Sequence, residues 1–196
     1  MSNFNLSDFF NPGKLWKREN KNRLHSNRIF DTISWDSESP DKKIKGTFYG
    51  LETNDWVNVI CFNNNEKLIL VEQYRHGINQ MSLELPGGIC EFEGEDKLLR
   101  AAKAELTEEC GYTSNDWKYL GKLSANPGIL NNFSHTFLAK NAERTNKQNL
   151  DIHEMIEIHE ISINEIPDLI QKGIFHHSLM VAALGLYFLC EKHIVK

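Results

Sequence analysis

The chain has 196 residues, 40% of them hydrophobic and 25% charged, with a net charge of −5. This is enough for one core-forming domain with an appendage. The negative balance argues against binding a nucleic-acid polymer or an anionic membrane by charge, since basic patches hold those partners. Four cysteines, Cys61, Cys90, Cys110 and Cys190, show no C-x-x-C spacing and read as free thiols of a reducing compartment. The longest apolar run, Leu179 to Cys190, is shorter than the roughly 20 residues a membrane-spanning helix needs. The N-terminus shows no basic segment followed by an apolar one, so a cytoplasmic protein is expected.

In chain order, residues 1–50 read as an extension and 51–196 as the main domain. In the extension, Ile29, Ile33 and Trp35 alternate with polar residues, Ser37 to Lys43 make a polar turn, and Ile44 to Tyr49 resume the extended pattern. That pattern predicts a β-hairpin. Trp56–Phe62 and Lys67–Tyr74 are Val- and Ile-rich runs joined by Asn63, Asn64 and Asn65, as in a core hairpin. Leu83–Leu85 predicts a short strand stopped by Pro86-Gly87-Gly88, and Asp96–Cys110 a helix closed by Gly111. Strands are expected near 120–123, 134–139 and 156–163. Asn164 is then expected to cap a helix with Pro167 in its first turn, stopped by Gly173, and Ser178 to open a strongly apolar helix reaching about Lys192. Strands interrupted by a central helix and finished by C-terminal helices predict an α/β fold with a mixed sheet between helical layers.

The 96–110 helix carries the chemistry. At 100° per residue, Glu105, Glu108 and Glu109 fall in a sector about 100° wide, and like charges at these spacings repel by a few tenths of a kcal/mol per pair. No Lys or Arg stands three or four places away; those positions hold Ala101, Ala102, Ala104, Leu106, Tyr112 and Thr113. A hard divalent cation, Mg²⁺ or Mn²⁺, fits such a face, because these ions take carboxylates together with substrate phosphates. The alternative is a solvated acidic face.

With Gly88 upstream, the run Glu105, Leu106, Glu108, Glu109, Gly111, Tyr112 resembles the second half of the Nudix box, G-x5-E-x7-R-E-U-x-E-E-x-G-U, where U is apolar. Two departures stand out: Ala104 replaces the box Arg, and the spacing from Gly88 is longer. Asp96, Arg100 and Ala104 share a helix face, so the ion pair that the family's Arg makes is expected one turn earlier, between Asp96 and Arg100. The resemblance implies an α/β/α sandwich and a metal-dependent hydrolase whose ligands are Glu105, Glu109 and the carbonyl of Gly87, with Glu108 a further ligand or, as a catalytic group, the acceptor for a metal-bound water. The segment Glu72-Gln73-Tyr74-Arg75 followed by Leu83-Glu84-Leu85-Pro86-Gly87-Gly88 resembles the ADP-ribose and nucleotide-sugar pyrophosphatase branch of that family. That likeness implies a small nucleoside diphosphate derivative as substrate, a homodimer, and an acid in the 151–157 segment acting as base. Glu154 is the first choice for that base and Glu157 the second.

Arg75 at a strand end suits a diphosphate, or else a structural pair with Glu84 or Glu72. Glu84, Asn126, Pro127 and Asn132 complete the expected substrate-binding set, with plain loop and strand-edge roles as the alternative. His176-His177 reads as packing rather than as a metal pair. No G-x-x-x-x-G-K-[ST], G-x-G-x-x-G or G-x-S-x-G occurs, which leaves P-loop, dinucleotide and serine-hydrolase readings without support. Two rivals remain: a degenerate Nudix domain that senses a nucleotide without cleaving it, and a hydrolase of nucleoside triphosphates or capped RNA.

Overall fold

The computed structural model describes residues 9–191. The described residues form two compact units, one from the residues up to 53 with 126–131 and the other from 54–125 with those from 132 onward.

In the first unit, β1 (Lys17–Ser26), β2 (Asp31–Glu38) and β3 (Lys45–Glu52) make an antiparallel sheet in that order. The hairpin predicted from the alternation is β2–β3, with Trp35 opposite Phe48 and Ile33 opposite Gly50. Its turn is tied by Ser39, whose N–H donates to the Ile44 carbonyl at 2.9 Å and whose Oγ donates to Asp41 at 2.6 Å. Strand β1 is an addition to the predicted elements. It is exposed along its whole length and has no apolar alternation, so what holds it is ladder pairing to β2 and surface links such as Lys21 to Glu52 and Arg23 to Asp31. Segment 126–131 returns to this unit: Leu130 bridges Leu51 in parallel, and the Leu51 N–H donates to the Ile129 carbonyl at 2.7 Å.

The second unit is built on an eight-stranded mixed sheet. Its path runs β11 (Ile156–Ile161), β5 (Leu68–Arg75), β4 (Trp56–Asn63), β10 (Phe133–Arg144), β8 (Tyr112–Thr113), with β6 (Gln80–Glu84) on β5, β7 (Gly87–Ile89) on β4 and β9 (Asp116–Ser124) on β10. Strand β10 runs parallel to β4, and the other pairings are antiparallel. Strand β4 is buried from Val57 to Asn63, and its period of two divides the core. Val57, Val59 and Cys61 join Ala101, Ala102, Leu106 and Cys110 of helix α1 (Lys97–Cys110), while Ile60 and Phe62 join Met180, Ala183 and Leu184 of α3 (Ser178–Glu191). The result is the expected α/β/α sandwich. Burying each large apolar side chain in these layers contributes roughly 1.5–3 kcal/mol.

Helix α1 stops where predicted: Gly111 takes φ 69° and returns its N–H to the Thr107 carbonyl. The start of α2 (Ile166–Gln171) differs from expectation. Asn164 does not cap it but lies in a 3-10 turn, Ile163–Glu165, where the Ser162 hydroxyl accepts the Asn164 N–H. Ser162 is the better cap because the chain leaves β11 extended there, leaving its oxygen above the turn. Helix α3 opens at Ser178 as predicted, with the imidazole Nδ1 of His177 accepting the Leu179 N–H at 3.2 Å. Lys192, the expected end, lies outside the described residues.

Candidate active site

The two glycines after β6 set the floor of the site. Gly87 sits opposite Asn58 at φ 157°, and a Cβ there would collide with the Val57 carbonyl. A Cβ on Gly88 would run into the carboxylate of Glu105. Hydrogen alone fits at both positions, and this lets α1 lay its acidic face on the backbone of β7. The Gly87 N–H donates to Glu109 Oε2 at 2.8 Å. Glu109 is buried, Glu105 is half-buried and Glu108 is exposed.

These carboxylates are electrostatically frustrated. Burial pushes the Glu105 carboxyl up to about 7, helped by the negative charges of Glu108, Glu154, Asp151 and Glu91. Burial also raises Glu109 well above the ordinary range, with Glu105 and Glu154 adding to it; the Gly87 N–H and Arg75 oppose the rise. A buried face with this much negative charge and one opposing guanidinium calls for a counter-cation. Glu105, Glu108 and Glu109 are hard oxygen donors beside a glycine backbone, the donor class that takes a divalent cation.

Arg75 leaves the end of β5 and forks onto Glu84, Nε to Oε1 at 2.8 Å and Nη2 to Oε2 at 2.6 Å. Burial would raise the fully buried Glu84 carboxyl, but the fork outweighs it and holds the group below its usual value. His177 faces this pair, and burial lowers its pKa. Both Glu84 oxygens are therefore taken up inside the protein, the structural pairing that the sequence left open for Arg75.

Glu154 reaches the acidic face through its negative charge, which adds to the rise of both Glu105 and Glu109. Its own carboxylate accepts the Asp151 N–H at 3.0 Å. Glu157 is not brought there. It stands opposite Glu72 in the β11–β5 ladder, where Glu72, Glu157 and His159 form a separate group and His159 Nε2 lies 2.8 Å from Glu72 Oε2. The strand period explains the separation, since Glu154 precedes β11 and Glu157 lies within it. Asn132 is buried, with its amide donating to the Asn54 carbonyl at 3.0 Å. Asn126 and Pro127 belong to the other unit, where Asn126 Oδ1 accepts the Gly128 N–H at 3.3 Å.

The expected Asp96–Arg100 pair does not form. Arg100 stacks over the Phe92 ring, 4.6 Å from its centroid, and donates to the Glu93 carbonyl at 3.4 Å. Asp96 is the cap position, and its carbonyl accepts the Arg100 N–H at 2.9 Å, so the two residues meet through the backbone while the guanidinium turns to Phe92 and Glu93. Glu91 and Asp151 add negative charge at Glu105, and His177 interacts with Glu84 and Arg75; the sequence places Asp151 in the acidic loop and His177 in packing, and assigns none of the three this role. Within the N-terminal unit, Trp16, Trp35, Ser37 and Phe48 line a cavity of about 240 Å³, with the Arg18 guanidinium 3.6 Å above the Trp35 ring centre. That lining suits a planar group.

A model of the NUDIX domain matches residues 53–184. The methanol dehydrogenase activator of Bacillus methanolicus is 31% identical over 129 residues, 65% of this chain and 69% of that protein. An ADP-ribose pyrophosphatase of Bacillus subtilis is 27% identical over 152 residues, 77% of this chain and 80% of that protein. A crystal structure described as an ADP compounds hydrolase superposes with a TM-score of 0.79 over 91% of this chain and 95% of that one, at 23% identity, which establishes a shared fold.

Proposed function

The chain belongs to the Nudix family, and we propose that it hydrolyses the pyrophosphate bond of ADP-ribose or a nucleoside diphosphate sugar, releasing a nucleoside monophosphate and a sugar phosphate. The observation that carries this reading is the frustrated carboxylate face of α1 laid on Gly87 and Gly88. The likeness to an ADP-ribose pyrophosphatase supports the substrate class.

In this reading Glu105, Glu109 and the Gly87 carbonyl hold Mg²⁺ or Mn²⁺, with the exposed Glu108 at the outer rim. The bound ion supplies charge neutralisation on the non-bridging oxygens and lowers the pKa of a water. The protein's own residues do the rest. Glu154 accepts the proton of the attacking water. Arg75, anchored by Glu84, keeps Nη1 for a phosphate oxygen, while the dry floor around Glu109 strengthens each charge interaction. Glu84 then serves the substrate through Arg75. Retention of all three α1 carboxylates argues against a degenerate sensor, and the negative net charge argues against capped RNA.

The proposal extends to a homodimer held through the N-terminal unit and to a cytoplasmic location. Free thiols at Cys61, Cys90, Cys110 and Cys190 support the latter. No helix among the described residues is long and apolar enough to cross a membrane. The likeness to the methanol dehydrogenase activator supports a second role for the same hydrolysis, modulation of a methanol dehydrogenase. The deciding experiment presents ADP-ribose, ADP-, GDP- and UDP-sugars and nucleoside triphosphates with Mg²⁺ or Mn²⁺ and measures the phosphate-bearing products. Cleavage of diphosphate-linked sugars, absent in EDTA, is expected; cleavage of triphosphates alone would overturn the substrate class. Adding the protein to a methanol dehydrogenase assay tests the second role.

A further inference from the structure

Helix α1 ends in carbonyls with no partner inside the helix, and the segment after β10 supplies those partners. The N–H groups of Thr145 and Asn146 donate to the Gly111 carbonyl at 3.0 and 3.1 Å, and that of Asn149 to the Glu108 carbonyl at 2.8 Å. At Glu109 the donor is a side chain: Gln148 Nε2 donates to the Glu109 carbonyl at 2.7 Å. The same nitrogen donates to the Ile156 carbonyl at 3.2 Å. One half-buried amide thereby joins the residue whose carboxylate lies deepest in the acidic face to the first residue of β11.

Between Gln148 and Ile156 lies the loop that carries Glu154. Leu150 and Ile156 pack in the core at its two ends, while Ile152 and Met155 are almost wholly exposed. Among the described residues, the hydrogen bonds of the stretch 151–155 are the two inside the Asp151–Glu154 turn. Beyond the Asn149 N–H on the Glu108 carbonyl, the loop thus has internal shape but no hydrogen bond of its own to α1. We propose that Gln148 is a positioning residue that sets the Glu154 loop in register with the metal-ligand helix, an inference that rests on the proposed role of Glu154 as base.

The residue type fits the task. A primary amide carries two hydrogens on one nitrogen and can satisfy two carbonyls at once. Glutamate has the same shape but presents acceptors to acceptors, asparagine is one methylene short, and methionine fills the volume without donating. Misplacement of a reacting group by about 1 Å costs up to roughly a hundredfold in rate, so the stitch acts on turnover rather than on substrate affinity.

The test compares wild type, Gln148→Met, Glu154→Gln and the double variant for kcat, KM and Mg²⁺ requirement, together with amide hydrogen exchange across 149–156. Gln148→Met is expected to lower kcat about tenfold, to leave KM and the Mg²⁺ requirement within about twofold, and to speed exchange in the loop. In the Glu154→Gln background the same substitution should cost nothing further, because two residues acting through one step are not additive. Equal losses in both backgrounds, a raised Mg²⁺ requirement, or unchanged exchange would each overturn the proposal by assigning Gln148 to the stability of α1 alone. Wild-type turnover in Glu154→Gln would remove the base assignment itself, and the stitch would lose its catalytic purpose with it. An inactive Glu154→Gln beside a fully active Gln148→Met would overturn the stitch while keeping the base.

Discussion

Glu109 is the residue on which stability and chemistry pull hardest in opposite directions, since its charge is buried and a neighbouring carboxylate raises it further. Glu109→Gln keeps the shape and an acceptor for the Gly87 N–H but deletes the charge. Turnover with Mg²⁺ should fall by on the order of 10² or more, while the melting temperature in EDTA should rise. Wild-type turnover would sink the ligand assignment. Glu105 gives a matching pH dependence. Its folded value, about 7, lies above the ordinary 4.5. Below about pH 4.5 the group is protonated folded or unfolded and contributes nothing; between there and about 7 the unfolded chain ionises while the folded one holds its proton, so metal-free stability declines as pH rises. Calorimetry in EDTA should show that decline from pH 5 to 8, and millimolar Mg²⁺ should abolish it. A metal-free melting temperature that rises over the same range would refute the account. The Glu84 carboxyl behaves oppositely, since Arg75 holds it below its usual value. Glu84→Gln strands a guanidinium and should cost about 3 kcal/mol in urea unfolding.

Helix α1 is legible in the amino-acid sequence because its signals reinforce one another: apolar residues at 101, 102, 106 and 110 face the sheet, Glu105, Glu108 and Glu109 share one sector, and Gly111 stops it. Gly111→Ala should destabilise by more than about 1 kcal/mol, as φ 69° strains any Cβ and the Asn146 carbonyl occupies its place. The loss should be visible as a lower urea midpoint with an unchanged slope. Elements that are not legible there lack such redundancy. Strand β1 presents nothing apolar to a core, so its existence rests on backbone pairing and on surface links such as Lys21–Glu52 and Arg23–Asp31. The Asp96–Arg100 ion pair does not form because the Phe92 ring and the Glu93 carbonyl take the guanidinium instead. Glu157 illustrates the same limit in β-structure: three positions after Glu154, it already belongs to another ladder.

At the scale of the whole molecule, the layered core and the acidic helix follow from periodicity and one motif, whereas the long-range tie of Gln148 to Glu109 and the return of 126–131 to the N-terminal sheet do not. Such contacts join residues far apart in the chain and leave no local pattern. The proposed dimer is tested by light scattering at micromolar concentration, where twice the monomer mass is expected. Ile29, Ile44, Phe48 and Tyr49, all exposed on the N-terminal unit, are the apolar groups such an interface would cover. A monodisperse monomer would rule it out. The return of segment 126–131 also bears on the order of events during synthesis. Asn131 donates to Glu52 from 79 residues downstream, and Leu130 bridges Leu51. At translation rates of about 5–20 residues per second, the last rung of the N-terminal sheet arrives roughly 4–16 s after its partner strand. The N-terminal sheet is therefore finished well after its own strands have been made, and during that interval its edge is open to chaperones and to other nascent copies of itself.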